Sequence, residues 1–154
     1  MLRRAGIILL ATVSLTLLLG LAAAAVDKEI VVGTWQQETS QPRGAGDLVK
    51  IEVQNKGLKL VLDRMEPGGI LFHTEFVGKT DGKDYAVSGM TDADAVSLQR
   101  IDSHTVDCSY KKGRELVKME RIVISKDGTK ATVFRKEKNS PPQDYTVVSA
   151  WNKQ

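Results

Sequence analysis

The sequence predicts one all-β domain, an antiparallel up-and-down meander of about eight to ten strands that closes into a barrel or half-barrel. Three observations predict it. Apolar residues alternate with polar ones at a period of two through most of the chain past residue 33. Turn-forming pairs punctuate these runs at intervals of roughly 10 to 15 residues. No stretch outside the N-terminal 25 residues demands a helix longer than a turn.

The first element in the chain is an export signal rather than part of the fold. Arg3 and Arg4 give a basic start, an apolar run follows from Ile7 to Leu21, and Ala22 to Ala25 supply the small side chains that a signal peptidase accepts. The apolar run, about 15 residues, falls short of the roughly 20 needed to span hydrocarbon. Residues 1–25 therefore read as a cleavable signal peptide, with Val26 as the first mature residue, and residues 26–154 as a single domain. The expected location is periplasmic or extracellular. The general secretory route fits a lone arginine pair better than twin-arginine export. No cysteine adjoins the cleavage site to accept a lipid.

Loss of Arg3 and Arg4, with no acid, takes the formal charge from +3 to +1. Basic residues form only the short clusters Lys111-Lys112 and Lys136 to Lys138. The concentrated positive footprint of a nucleic-acid binder is missing, so nucleic acid is not an expected partner. The one cysteine, Cys108, permits no internal disulfide, so stability rests on packing.

The strands follow in order. Trp35 marks the first; then come Val49, Ile51 and Val53; Leu58, Leu60 and Leu62; Ile70, Phe72 and Phe76; Val96 and Leu98; Val106, Cys108 and Tyr110; Val133; and finally Tyr145, Val147 and Trp151. Each set has the spacing of a half-buried strand. Asn55-Lys56-Gly57, Pro67-Gly68-Gly69, Asp81-Gly82, Asp102-Ser103, Lys112-Gly113 and Asp127-Gly128 read as the joints, because these residues tolerate positive φ or nucleate tight turns. Asn139 to Pro142 reads as a longer loop. Residues 115–125 are ambiguous. Leu116, Met119 and Val123 would share a helical face, yet the segment lies between two hairpin signals and Ile122-Val123-Ile124 is β-branched, which favours strand. A meander of this size avoids exposed edges by closing, and a two-sheet sandwich is the rival. The paired cysteines of an immunoglobulin-like sandwich are absent, which favours the barrel.

Gly33-Thr34-Trp35, placed a few residues after the signal, resembles the Gly-x-Trp opening of the lipocalin and fatty-acid-binding group of barrels. That resemblance implies a tryptophan closing one end of the barrel, with a basic residue near the C-terminus packed over it. The last strand offers Lys153 just beyond its end. Only a short segment separates Trp35 from Leu48, too little for the helical lid of fatty-acid-binding proteins, and the C-terminal helix of lipocalins is missing. Asp81 to Tyr85, Val96 to Asp102 and Ser125 to Gly128 resemble small exported bacterial proteins with lipocalin-like folds. This second resemblance implies the fold and carries no activity.

Enzyme chemistry finds no footing. His104 and Cys108 are about 13 Å apart on an extended chain, and with His73 they do not make a tetrahedral zinc set. His73 as a haem ligand has no supporting motif. Thr91-Asp92-Ala93-Asp94 lacks the glycine and distal glutamate of a calcium loop. No G-x-S-x-G elbow is present, and Cys108, in phase with Val106 and Tyr110, reads as a small buried hydrophobe. No metal or cofactor is expected, and the chain is read as a non-enzyme.

Ligand binding is the strongest functional class, because barrels of this size enclose cavities. With Trp35 inward, Phe72, Phe76, Arg100 and Tyr110 share its interior, and Arg121 joins them if Val117, Met119 and Val123 are the inward set of their strand. These six residues are the candidate ligand site. An arginine on an apolar face suits an acidic ligand; the alternative is that it reaches out of the mouth or pairs with a structural acid. The expected partner is a small hydrophobic or acidic ligand, with an envelope protein as the alternative, for a monomer without a stable membrane anchor.

Overall fold

A computed structural model describes residues 31–39, 47–66, 70–141 and 143–154. The signal segment 1–25 and the Pro67-Gly68-Gly69 joint lie outside the described residues. Ten strands follow one another: β1 (Gly33–Gln37), β2 (Leu48–Gln54), β3 (Gly57–Glu66), β4 (Ile70–Gly78), β5 (Asp81–Ser88), β6 (Ala95–Arg100), β7 (Thr105–Lys112), β8 (Glu115–Ile124), β9 (Lys130–Glu137) and β10 (Thr146–Lys153). Each pairs antiparallel with its sequence neighbour, and β1 pairs with β10 to close the barrel. The ambiguous segment 115–125 is strand through Ile124, paired with β7 across one register shift and with β9.

Local chemistry explains the joints. Asn55 and Lys56 both take positive φ, 50° and 61°, the geometry of a two-residue turn whose twist matches the flanking strands. Gly113 and Gly128 take positive φ at the β7–β8 and β8–β9 turns. The Asp81-Gly82 joint is a correction. These residues lie inside β5, where Gly82 has φ 75° and the register with β6 shifts between Asp81 and Asp84, a bulge rather than a turn. The chain turns just before, at Lys79-Thr80. In β5 only Tyr85 and Val87 carry the apolar period, too short a run to stand out from the flanking charges.

The core packs around Trp35. Trp35, Leu58, Phe76, Val96, Val106 and Cys108 are all buried and packed in a single cluster. The Trp35 indole N–H donates to the Val31 carbonyl at 2.7 Å, and the Lys153 ammonium stands 5.3 Å from the centre of its ring. Phe76 and Tyr85 meet edge to face with ring centres 6.1 Å apart. Gly78 makes that pair possible, since a Cβ there would come within 2.8 Å of the Tyr85 ring and closer still to Phe76. Cys108 is enclosed, and burial raises its thiol pKa, with Glu120 and Asp107 adding to the effect. It is a packing residue in the unreactive thiol form.

Candidate ligand cavity

Alternation along the strands divides each into an inward and an outward face. Beside the Trp35 cluster the inward faces stand apart and leave a cavity of about 300 Å³, at the lower limit for small-molecule sites. Its walls are apolar: Val49 and Ile51 from β2, Leu60 and Leu62 from β3, Ile122 from β8 and Val133 from β9. Trp35 forms part of its floor. Val148 reaches it through a bulge in β10, where the register with β9 shifts between Val147 and Ser149. Trp151 lines it too, its indole N–H donating to the Ser149 hydroxyl at 2.9 Å.

Charged groups enter the cavity on the side of the mouth. The hairpin between β8 and β9 sets Glu120 opposite Arg135. The guanidinium donates through Nε at 3.0 Å and Nη2 at 2.7 Å to Glu120 Oε1, and the Tyr110 hydroxyl donates to Oε2 at 2.9 Å. Desolvation raises the Tyr110 pKa, and so does the Glu120 carboxylate. Burial lowers the Arg135 pKa, but the Glu120 hydrogen bond and charge more than offset this and leave it raised. One strand position along, the Lys118 ammonium lies 4.7 Å from the centre of the Tyr110 ring and donates to Asp92 at 2.9 Å. Across the mouth Arg64 grips Asp47 with three hydrogen bonds of 2.8 to 3.1 Å. The lining thus holds three cations, Arg64, Lys118 and Arg135, against two carboxylates, Asp47 and Glu120. Such a cavity solvates an apolar tail and favours an anion at its polar end.

The six residues expected from sequence distribute unevenly. Trp35 and Tyr110 line the cavity. Phe76 is inward but belongs to the packed core. Phe72 stands opposite Arg64 on the rim and is exposed. Arg100 shares the inward face with Val106 at the closed end, away from the mouth. Arg121 faces outward, because the inward set of β8 is Lys118, Glu120, Ile122 and Ile124. There Arg121 pairs with Asp107 through bonds of 2.7 and 2.8 Å, which raise its pKa, and its guanidinium lies 5.1 Å from the Tyr145 ring. His73 also lies on an outward face, hydrogen-bonded to Asp63 at 2.7 Å. Among the described residues no three His, Cys, Asp or Glu side chains converge as a metal site requires.

Sequence reasoning missed Glu120, Arg135, Lys118 and Arg64. The signal for the first two was present. Glu120 and Arg135 are equidistant from the Asp127-Gly128 turn, so the predicted hairpin sets opposite charges face to face. Val117, Met119 and Val123 read as an inward set because they are apolar, yet the inward face at the mouth is the charged one.

Among the described residues no helix is long and apolar enough to cross a membrane. No protein-family model, curated protein or solved structure matches the chain.

Proposed function

We propose that this chain is an exported, non-enzymatic binding module of lipocalin-like architecture, which holds one small amphipathic acid in its barrel. The observation that carries the reading is the cavity itself. Apolar walls meet a polar end whose lining cations outnumber its acids, and a cavity of about 300 Å³ suits a ligand of modest size. The Lys153 ammonium over Trp35 completes the pattern that the Gly-x-Trp resemblance implies and supports the lipocalin-like assignment.

The rival reading, a structural or interaction module of the cell envelope, would draw on a solid interior and an unpaired strand edge. All ten strands have neighbours on both sides, which favours the cavity as the functional feature. The outer face carries ion pairs such as Lys59–Glu75, Lys111–Asp84 and Arg121–Asp107. That polarity is the reverse of the apolar outer band of a membrane barrel, and supports a partner that enters from water.

Titration with decanoate, followed through the fluorescence of Trp151 in the cavity wall, tests the proposal. Saturable binding at one site per chain is expected. No saturable change with decanoate or with its neutral counterpart decanol would leave the cavity without a ligand-binding role.

A further inference from the structure

The three cations of the cavity differ in where their counter-ions come from. Asp47 and Glu120, which neutralise Arg64 and Arg135, line the cavity with them. The acid that neutralises Lys118 is Asp92, which belongs to the connection between β5 and β6 and does not line the cavity. Lys118 is the more enclosed partner, its side chain 16 % exposed against 55 % for Asp92. A largely enclosed ammonium needs an anion beside it at all times. The position of that anion is filled from outside by a carboxylate on a loop.

The loop is fastened at its ends and latched in its middle. At the β5 side, Gly89 has φ 80° and packs so closely on the His73 carbonyl that a Cβ could not fit. At the β6 side, the Asp94 carbonyl accepts from Val87 N–H at 3.1 Å, and the Asp94 N–H donates to the Lys111 carbonyl at 2.9 Å. The Asp94 carboxylate also accepts the Gly113 N–H at 2.9 Å. Between these anchors Met90 reaches into the cavity lining and Asp92 bonds Lys118. The hydrogen bond and charge of Lys118 lower the Asp92 pKa, and Arg135 adds to the shift, so this carboxylate sits in the field of both cations at the polar end.

We infer that Asp92 is a built-in stand-in for the acidic head of the ligand: the incoming carboxylate replaces it on Lys118, and its release lets the Gly89–Asp94 loop, with Met90, withdraw from the mouth. The exchange conserves charge, one carboxylate for another on the same ammonium. Asp92 therefore competes with acids and leaves neutral ligands unaffected. This rests on the cavity being a ligand site, and adds that Lys118 receives the acid and Asp92 opposes it.

Decanoate and decanol titrations of the full mature chain and four variants test the inference. Asp92→Asn removes the competing charge, and decanoate should then bind about fivefold more tightly, the upper end for a single partly exposed ion pair, with decanol affinity unchanged. Asp94→Asn removes a charge from the same loop without touching Lys118 and should give no gain for decanoate. Adding Lys118→Gln to Asp92→Asn should abolish the gain, as a coupled pair requires. Unchanged or weaker decanoate binding by Asp92→Asn overturns the inference. So does an equal gain for decanol, which would mean mere unblocking, or an equal gain from Asp94→Asn, which would mean a general charge effect. Failure of every variant to bind either probe overturns the cavity reading itself, a result distinct from those three. Urea midpoints measured alongside identify any variant whose fold is altered, and Lys118→Gln alone, with decanoate affinity lowered towards that of decanol, then carries the test.

Discussion

At the scale of single residues, Trp35 joins sequence, packing and closure. It is 3 % exposed, its indole N–H is satisfied by Val31, and its register partners are Val49 on one side and Lys153 on the other. Trp35 thus sits where β1 meets both β2 and β10. Trp35→Ala should cost about 3–5 kcal/mol, the range for a large aromatic removed from a core. Chemical denaturation measures it, and an unchanged midpoint would deprive the closed end of its plug. The position was legible because a glycine and a tryptophan open the first strand. The Lys153 contact was only half legible. Sequence ends the last strand at Asn152, whereas β10 runs through Lys153, and that one added residue brings the ammonium over the ring. Arg121 shows the opposite case. An arginine amid apolar residues reads as a group facing a cavity, but its acid lies directly across the ladder at Asp107, and both sit on the outer face.

At the scale of elements, the seams of the barrel are unequal. The β7–β8 and β3–β4 ladders extend over eight or more paired positions, whereas β4 and β5 share two, Glu75 with Ser88 and Phe76 with Val87. At this thin seam the edge-to-face contact of Phe76 with Tyr85 takes over much of the work that a ladder does elsewhere. Local opening should start where paired backbone is sparsest. Amide hydrogen exchange should therefore be faster across Val77–Val87 than across the β7–β8 ladder, by at least tenfold in protection. Equal protection would show that the barrel opens only as a whole. The same seam explains why β5 was hard to read from sequence. A strand with two ladder partners on one side needs little apolar patterning, and at Asp81 to Asp84, charged or glycine, the ladder with β6 is broken by a bulge. In β8 the difficulty was phase rather than type. The register passes over Val117 between Tyr110–Lys118 and Lys111–Leu116, and beyond this bulge Lys118, Glu120, Ile122 and Ile124 face inward rather than the apolar set of Val117, Met119 and Val123.

At the scale of the molecule, closure depends on the last strand. β10 pairs with β1 through Trp35–Lys153, Gln36–Asn152 and Gln37–Trp151, so the barrel cannot close until residues 151–153 are in place. Nine of the ten ladders join sequence neighbours, so the one distant pairing, β1 with β10, should be the slow step of the fold. It has no disulfide to wait for, since Cys108 is the only cysteine and is buried. Late closure and the absence of a disulfide are compatible with the export proposed from residues 1–25, in which a chain crosses a membrane unfolded and assembles afterwards. The apolar interior, the charged outer face and the cavity mouth are then produced together, in one closing event. Intact mass of protein recovered from the envelope fraction of its host should match a chain that begins at Val26 or within two residues of it. Recovery of the full-length chain, retained in the membrane by residues 7–21, would overturn export by cleavage, and the binding module would then have to act tethered to the surface instead of free in solution.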